Sequence, residues 1–310
     1  MWLSFSIYHQ IKEQKDLPQA WQTILYSFTV QQWWKFIIVL VLMFLNWGLE
    51  AYKWQWLMKR VQRISFKQAY KAIFAGQAFA FGSVNNIAEF IGKIAYLDEG
   101  NRLRSIALSV VGSISQVIVT FVMGIAGLIY LRFNISIRNN YWQRLDVVWF
   151  YILLLVLMVV FIILLLLYYR LSWISKILER APFISRYIYL IRNLEELHSK
   201  ELTRILSLSF ARFVVFVIQY LLLLQIFKVD ANNFGLIWMV CVMFLVLAII
   251  PTIAFAELGL RGEISIQLVG LLSNNIAGIL LATTGIWFIN KVLPAIAGSL
   301  ILLRLRLFKK

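Results

Sequence analysis

The sequence predicts an all-α polytopic membrane protein that forms a single integral membrane domain over residues 1–310. The chain is 62% hydrophobic with a mean hydropathy of +0.80, whereas soluble domains are about 45–50% apolar. Several apolar runs reach the roughly 20 residues that a spanning helix needs. Basic residues cluster at the ends of those runs, as expected for helices oriented in a membrane with anionic lipid.

Composition also argues against several function classes. A net charge of +16 would suggest nucleic acid in a soluble protein, but here the bases flank apolar runs and no nucleic-acid partner is expected. The lone cysteine, Cys241, lies in an apolar run, and His9 and His198 are far apart. We therefore expect no disulfide, metal or other cofactor. No Gly-rich phosphate loop, nucleophile elbow or HExxH motif is present, so the sequence favours a protein that is not an enzyme.

The first predicted span covers residues 35–57. The preceding MWLSFSIYHQ is too short to span, so residues 1–34 are interpreted as interfacial, or as the remnant of an upstream helix. From the end of this span to residue 71, the chain carries six bases and no acid, which predicts that residues 53–71 are cytoplasmic. These bases are Lys53, Lys59, Arg60, Arg63, Lys67 and Lys71.

Residues 72–98 are apolar but interrupted by Gly and Asn residues and then by Glu89 and Lys93. We predict a helical hairpin that enters and leaves the bilayer on the cytoplasmic side, because non-helical backbone at membrane depth needs protein or a wet cavity around it. A span over 105–131, an outer loop over 132–146 and a lipid-facing span over 147–169 follow.

The second half of the chain again alternates apolar spans with charged segments. Residues 170–204 hold seven bases with apolar residues near helical spacing, and predict an amphipathic helix on the cytoplasmic surface. A span over 205–227 follows, and then an apolar run over 234–249 that Pro251 breaks. A charged segment continues to about residue 273, and the last span covers 276–303. Across the chain, 19 bases fall on the predicted cytoplasmic side and seven outside, which predicts a cytoplasmic C-terminus in an inner membrane.

Residues 35–131 and 205–303 then form two inverted copies of span, broken hairpin and span, joined by the connecting span and surface helix of 147–204. This is the pattern of transport folds built from inverted repeats. In the alternative topology, 234–250 and 258–273 each cross fully. The C-terminus stays cytoplasmic in that case, but the symmetry is weaker.

Both broken segments carry a carboxylate with a base four residues later, which places each pair on one helix face: Glu89 with Lys93, and Glu257 with Arg261. Ionised groups inside a membrane cost at least about 2.5–3.5 kcal/mol each on insertion scales, so they usually have partners and a role. Arginine binds phosphate in a bidentate manner. We predict a lipid head-group site formed by Asn85, Asn86, Glu89, Lys93, Glu257, Arg261, Glu263 and Lys291.

The alternative for these charges is an interfacial loop whose side chains lie among lipid head groups. Three further groups are open in the same way. Glu50 is either a third cavity carboxylate or an interfacial group, and Arg212 could simply snorkel to the interface. Lys291 is the better cavity candidate, and a pairing with Glu263 is one hypothesis for it.

Five motifs, in order, carry a resemblance to a known family: NWGLEAYKW, FGSVNNIAEFIGKIAYL, IALSVVGSISQ, IPTIAFAELGLRGE and LPAIAGSLILLRLRLF. The chain resembles the lysylphosphatidylglycerol synthase transmembrane, or flippase-like, family of bacterial membrane proteins over roughly residues 35–308. The resemblance implies broken helices that bind or move phospholipids or lipid-linked precursors. The chain looks like a short form without the soluble synthase domain, so lysyl transfer is not implied.

The first broken helix departs from the family's usual T-P-x-R-x-G-E-x-x-G-R pattern. The proline is missing, while Glu89 and Gly92 stay. Asn86 replaces the first arginine, Ala88 a glycine and Lys93 the last arginine. The family also often has one more span before the first.

The sequence leaves two functions open. The first is translocation of a phospholipid or lipid-linked substrate, with the head group held by paired charges at the broken helices. The second is a membrane enzyme or a lipid-binding accessory subunit in envelope lipid modification or glycosylation, with Glu89 and Glu257 as a conceivable acid and base. Self-association as a homo-oligomer also stays open.

Overall fold

The structure is a computed structural model that describes residues 32–134, 147–170 and 197–307; the side chains of Asn85, Val147, Phe255 and residues 305–307 lie outside this description. The described residues form helices and no strand. The helices are α1 (Trp33–Met58), α2 (Phe66–Ala80), α3 (Glu89–Ile94), α4 (Arg102–Asn134), α5 (Val147–Tyr169), α6 (Ser199–Ile226), α7 (Asn233–Ile249), α8 (Ala254–Val269), α9 (Ile276–Trp287) and α10 (Leu293–Leu307).

The prediction of an all-α fold with membrane spans is confirmed. Five helical segments within the described residues are long and apolar enough to cross a membrane, and they coincide with the five predicted spans. α5 is the most apolar of them, and among its described side chains only Phe150, Leu157 and Tyr168 are buried. An apolar helix exposed in this way is suited to contact with lipid.

The centre of the molecule is an antiparallel pair of helices, α1 and α6. Lys35 at the start of α1 donates to Gln225 at the end of α6. Arg60, just after α1, pairs with Glu201 at the start of α6, with an N–O distance of 2.6 Å. An inverted repeat requires equivalent helices to run in opposite directions, and this pair does so. The repeat itself stays a prediction.

The first broken segment folds as a hairpin of α2, a 3-10 turn at Val84–Asn86 and α3. Gly92 of α3 lies so close to α2 that an added Cβ would overlap the carbonyl group of Ala75. The side chain of Gln62 accepts from the amide of Asp98 at 3.1 Å, so the two ends of the hairpin lie together. The hairpin shape is therefore confirmed, and its entry into the bilayer stays a prediction.

The predicted start of this hairpin at residue 72 is wrong, because α2 begins six residues earlier, at Phe66. Ser65 accepts from the amide of Gln68, and the Gln68 side chain returns a bond to the Ser65 amide. Such a capping box satisfies donors that the first turn of a helix leaves unpaired. Lys67, which belongs to the segment 53–71 predicted to be cytoplasmic, is thus part of α2.

The second broken segment is a hairpin of α7 and α8. α7 ends at Ile249 and Ile250 is extended, as expected before Pro251. α8 then starts at Ala254 and packs between α7 and α9. The break at Pro251 is confirmed, although α8 begins four residues before the segment 258–273 proposed in the alternative topology.

Each half packs its last helix on the hairpin of the other half. Gly124 of α4 lies against Leu245 of α7, and Gly298 of α10 lies against the backbone of Phe74 in α2. The missing side chains let these backbones approach closely, which is how membrane helices gain packing energy. The exchange joins the two halves into one body.

The predicted end of the surface helix over 170–204 is wrong, and most of that helix cannot be compared with the structure. Residues 171–196 lie outside the described residues. Residues 199–204 belong to α6, whose start is capped when the Glu201 side chain accepts from the His198 amide at 3.0 Å. The proposed outer loop likewise falls largely outside the described residues, which resume at residue 147.

Candidate functional site

A buried carboxylate, Glu50 of α1, is the hub of the site. It is 8% exposed. One of its oxygens lies 2.8 Å from the Lys53 ammonium and 2.9 Å from the Arg212 guanidinium, and the other lies 3.7 Å from Lys93. Glu50 is therefore a cavity carboxylate rather than an interfacial group, and it joins α1, α3 and α6 through charge.

Lys53 was predicted to be a cytoplasmic base, and this is wrong. It is 2% exposed and donates to the Gly112 carbonyl at 3.1 Å and to the Ser209 hydroxyl at 3.2 Å, in addition to pairing with Glu50. An ammonium group has three protons to donate, so all three are matched. Five bases of the six remain as the orientation signal.

Arg212 of α6 does not snorkel to the interface. Its Nε donates to the Asn46 side chain at 2.6 Å, and one terminal nitrogen pairs with Glu50. The guanidinium carbon also lies 5.0 Å from the centre of the Trp47 ring and 5.5 Å from that of Phe216. Cation–π contacts of this kind stabilise a desolvated cation, so Arg212 is held inside the protein.

The predicted pair Glu89 and Lys93 forms on α3. Lys93 is buried and also approaches Glu50, so it links the hairpin to α1. The short helix α3 is held in register by the close contact of Gly92 with α2. The spacing of four residues therefore placed this pair correctly on one face.

The second predicted pair, Glu257 and Arg261, forms on α8. Arg261 is 9% exposed and its guanidinium carbon lies 5.7 Å from the centre of the Phe244 ring. Lys291 lies 3.6 Å from the other oxygen of Glu257. The acid beside Lys291 is thus Glu257, and the hypothesis of a Lys291–Glu263 pair is wrong. Glu263 instead accepts from Gln267 one turn further along α8.

Lys291 reaches this position from a π-helical turn, Phe288–Val292, between α9 and α10. Pro294 follows it and has no N–H to donate to the preceding turn. A π-turn widens the helix locally and is frequent at functional sites. Here it is accompanied by two polar cavity residues in succession, Asn290 and Lys291.

Lys291 bridges the two broken hairpins, because it pairs with Glu257 of α8 and also bonds to the first hairpin. The Lys291 ammonium donates to the Asn86 side-chain oxygen at 3.1 Å. Asn86 has a φ of +59°, a left-handed conformation that asparagine tolerates better than most residues. The predicted residues Asn86 and Lys291 are therefore brought together, whereas the side chain of Asn85 lies outside the described residues.

Two adjoining cavities contain these groups. One has a volume of about 450 Å³ and extends to Leu164 of α5. The other has a volume of about 390 Å³ and extends to α8 and the π-turn. Both are lined by Asn86, Glu89, Gln116, Val117 and Arg212. Glu89, Glu257 and Arg261 thus line the second cavity together, whereas the predicted site residues Lys93 and Glu263 line neither of these two cavities.

Several buried polar atoms of cavity residues have no hydrogen-bond partner among the described residues. The donors are the Nε of Arg261 and the indole nitrogen of Trp47, and the acceptors are the side-chain oxygens of Gln116 and Asn290. Buried polar groups in proteins are usually satisfied. The donors suit phosphate oxygens, and the acceptors suit hydroxyl or amino groups. Among the residues described, no three His, Cys, Asp or Glu side chains come close enough to hold a metal ion.

Sequence reasoning missed Lys53 and Arg212 as members of this site, although one signal was present. Asn46, Glu50 and Lys53 are spaced four and three residues apart, which puts them on a single face of α1. A polar face on a spanning helix indicates an interior surface. The partner on the opposite helix could not be read from local spacing.

Comparison with known proteins identifies the family of the chain. The family model described as "Lysylphosphatidylglycerol synthase TM region" matches residues 17–298, and the chain belongs to this family. Together with its apolar helices, this makes it a multi-pass membrane protein. No curated protein matches the chain.

Proposed function

We propose that this member of the lysylphosphatidylglycerol synthase TM region family translocates a phospholipid or a lipid-linked precursor, with the head group held in the paired cavities. Family membership supports the coarser conclusion of a membrane protein in lipid modification or transport. The choice of translocation rests on the geometry of the charged side chains.

One observation carries the proposal: Lys291 of the π-turn bonds to Asn86 of the first hairpin and pairs with Glu257 of the second, at a charged cavity. A head group in this place would contact elements of both halves at once. Movement of one hairpin relative to the other would then change the side from which the cavity is open, as in transporters built from broken helices.

The ion pairs offer a physical route for loading. Burying an isolated charge is very costly, and the cost is smaller when a charge of opposite sign already lies beside it. A phosphate group can lie beside Arg261 and Lys291, because these two bases share a single carboxylate, Glu257. The apolar part of the first cavity, with Val110, Ile114 and Leu164, is suited to the start of the acyl chains.

The proposal is tested with the purified protein in liposomes, by the rate at which fluorescent phospholipids change leaflet. We expect acceleration over empty liposomes, and at least a tenfold loss of it in Glu89→Gln, Glu257→Gln and Arg261→Gln. Glu99→Gln and Arg102→Gln are the matched controls, because this ion pair lies outside the cavity and Glu99 is exposed. No acceleration with any lipid class would overturn translocation.

The alternative function, an enzyme or accessory subunit of envelope lipid modification, makes a different prediction. Product formation would then fail in Glu89→Gln or Glu257→Gln while lipid movement was unchanged. Both carboxylates are engaged by buried bases in the structure, which suits a charge-balancing role better than proton transfer.

The further proposals are an inner-membrane location with a cytoplasmic C-terminus, and an energy source other than nucleotide hydrolysis, since the sequence has no nucleotide-binding motif.

A further inference from the structure

We infer that the head group bound in these cavities carries two negative charges, as a phosphate monoester or a diphosphate does, rather than the single charge of a phosphodiester. The inference rests on the proposed function in one respect, namely that the cavities hold a lipid head group. It is carried by the unmatched charge of the side chains around them.

The charged groups do not balance. Among the described residues that line the cavities or pair with those that do, three are carboxylates and five are bases. Two positive charges are therefore left without a negative partner. The carboxylates are Glu50, Glu89 and Glu257, and the bases are Lys53, Lys93, Arg212, Arg261 and Lys291.

The surplus is divided evenly between two ends of the site. Around Glu50, two carboxylates face Lys53, Lys93 and Arg212, which leaves one positive charge. Around Glu257, one carboxylate faces Arg261 and Lys291, which leaves another. Asn86 lies at the junction, since it lines both cavities and accepts from Lys291.

The contacts of the five basic side chains indicate that these side chains are positively charged. Lys53 lies 2.8 Å from the Glu50 carboxylate and donates to two further acceptors, which is the number that an ammonium with three protons can serve. Arginine remains protonated in proteins. Lys93 and Lys291 each contact a carboxylate. The positive surplus is therefore shared among five bases, each of which contacts a carboxylate.

A buried surplus of this kind favours a ligand of matching charge. An uncompensated charge away from water is destabilising until a counter-charge arrives. A phosphate monoester carries about −1.5 to −2 charges near pH 7, whereas a diester carries one. The unpartnered donors on Arg261 and Trp47 add directional contacts for its extra oxygen. A lipid with a terminal phosphate would thus neutralise both ends of the site.

The acyl chains distinguish a lipid phosphate from a soluble phosphate ester as the ligand. A soluble phosphate ester presents the same head group as a lipid, but it gains nothing from the apolar wall beside Leu164 and Ile114. We expect glycerol 3-phosphate to bind at least tenfold more weakly than phosphatidate. Equal binding of the two would assign the site to a soluble phosphate and overturn the lipid part of the inference.

The test compares dioleoyl phosphatidate with dioleoyl phosphatidylmethanol, which differ only in one methyl ester and one charge. Binding to the purified full chain at pH 8 is measured by native mass spectrometry, with dioleoyl phosphatidylcholine as the zwitterionic reference. We expect one phosphatidate per chain and at least a tenfold preference over phosphatidylmethanol. Equal affinities, or two phosphatidylmethanol molecules per chain, would overturn the double charge.

Two variants separate charge from folding. Lys291→Gln removes one surplus charge, and we expect its preference for phosphatidate to fall to about threefold or less. Glu257→Gln adds a positive charge, and phosphatidate binding should stay as tight or tighten, whereas a folding defect would weaken every lipid. Arg102→Gln should leave the preference unchanged. If the preference holds but no lipid changes leaflet, translocation fails while the head-group inference stands. If lipids change leaflet without a preference for phosphatidate, translocation stands and the head-group inference fails.

Discussion

Lys291 of the π-turn and Asn86 of the first hairpin are 205 positions apart in the chain, and a hydrogen bond of 3.1 Å joins their side chains. This contact is formed between the two halves of the protein. Because Lys291 also pairs with Glu257, the contact connects the charged groups of one hairpin to those of the other. Its removal should therefore affect function as well as folding.

Asn86→Gly tests this contact, since glycine keeps the left-handed backbone at φ +59° while removing the acceptor. Hydrogen bonds to charged groups contribute about 1.5–3 kcal/mol to stability, so we expect stability to fall by about that amount and lipid translocation in liposomes to fall roughly ten- to a hundredfold. Asn86→Val is the contrasting variant. It should lose a further amount of about 1–3 kcal/mol of stability, because a β-branched residue is strained in this conformation.

Glu50→Gln should be strongly destabilising. It leaves Lys53 and Arg212 buried without their common counter-charge, and breaking a buried pair costs about 3–5 kcal/mol. Unfolding of the detergent-solubilised protein is the measurement. Glu99→Gln, at an exposed pair, should change stability by less than about 1 kcal/mol. The double variant Glu50→Gln with Lys53→Met should be less destabilised than the sum of the single changes, because it removes acid and base together.

Gly92→Ala should displace α3 from α2. An added Cβ would overlap the Ala75 carbonyl group, and overpacking of this kind costs about 1–3 kcal/mol. We expect lower thermal stability together with slower translocation, since α3 carries Glu89 and Lys93. Gly100→Ala is the matched control, as an added Cβ there meets nothing within 4 Å. A Gly92→Ala protein as stable as the control would contradict this packing.

Tyr220→Phe tests how α8 is held in place. The buried Tyr220 hydroxyl forms hydrogen bonds with Ser265 of α8 at 2.9 Å and with Thr283 of α9 at 2.6 Å. Loss of a buried hydroxyl that leaves partners unsatisfied costs about 1–3 kcal/mol. We expect a lower unfolding temperature and weaker phosphatidate binding, because Arg261 lies one turn before Ser265. Tyr70→Phe, at a weak exposed bond of 3.5 Å, should behave like the wild type.

The orientation can be measured with cysteine labelling. Cys241 is the single native cysteine and is buried, so an impermeant maleimide should not label the unmodified protein. Lys67→Cys and Asn134→Cys introduce exposed sites at opposite predicted sides. We expect Asn134→Cys to react in intact cells, and Lys67→Cys to react only after the membrane is permeabilised. The reverse pattern would invert the predicted topology.

Much of the fold could be predicted because it depends on local patterns. Apolar runs of about 20 residues specify spans, Pro251 ends α7, and a spacing of four residues puts Glu89 beside Lys93 and Glu257 beside Arg261. The errors have local causes too. The capping box at Ser65 starts α2 earlier than hydrophobicity suggests, and the cap at Glu201 does the same for α6.

The sequence by itself determined that this chain is a helical membrane protein with two interrupted segments and a charge pair in each. Only the tertiary structure decided which charges meet. Lys53 resembled a cytoplasmic base and Arg212 a snorkelling one, but the antiparallel packing of α1 and α6 buries both on Glu50. The physical reason is that hydrophobicity and helical period act over a few residues, whereas the energy of a buried charge depends on partners supplied by distant helices.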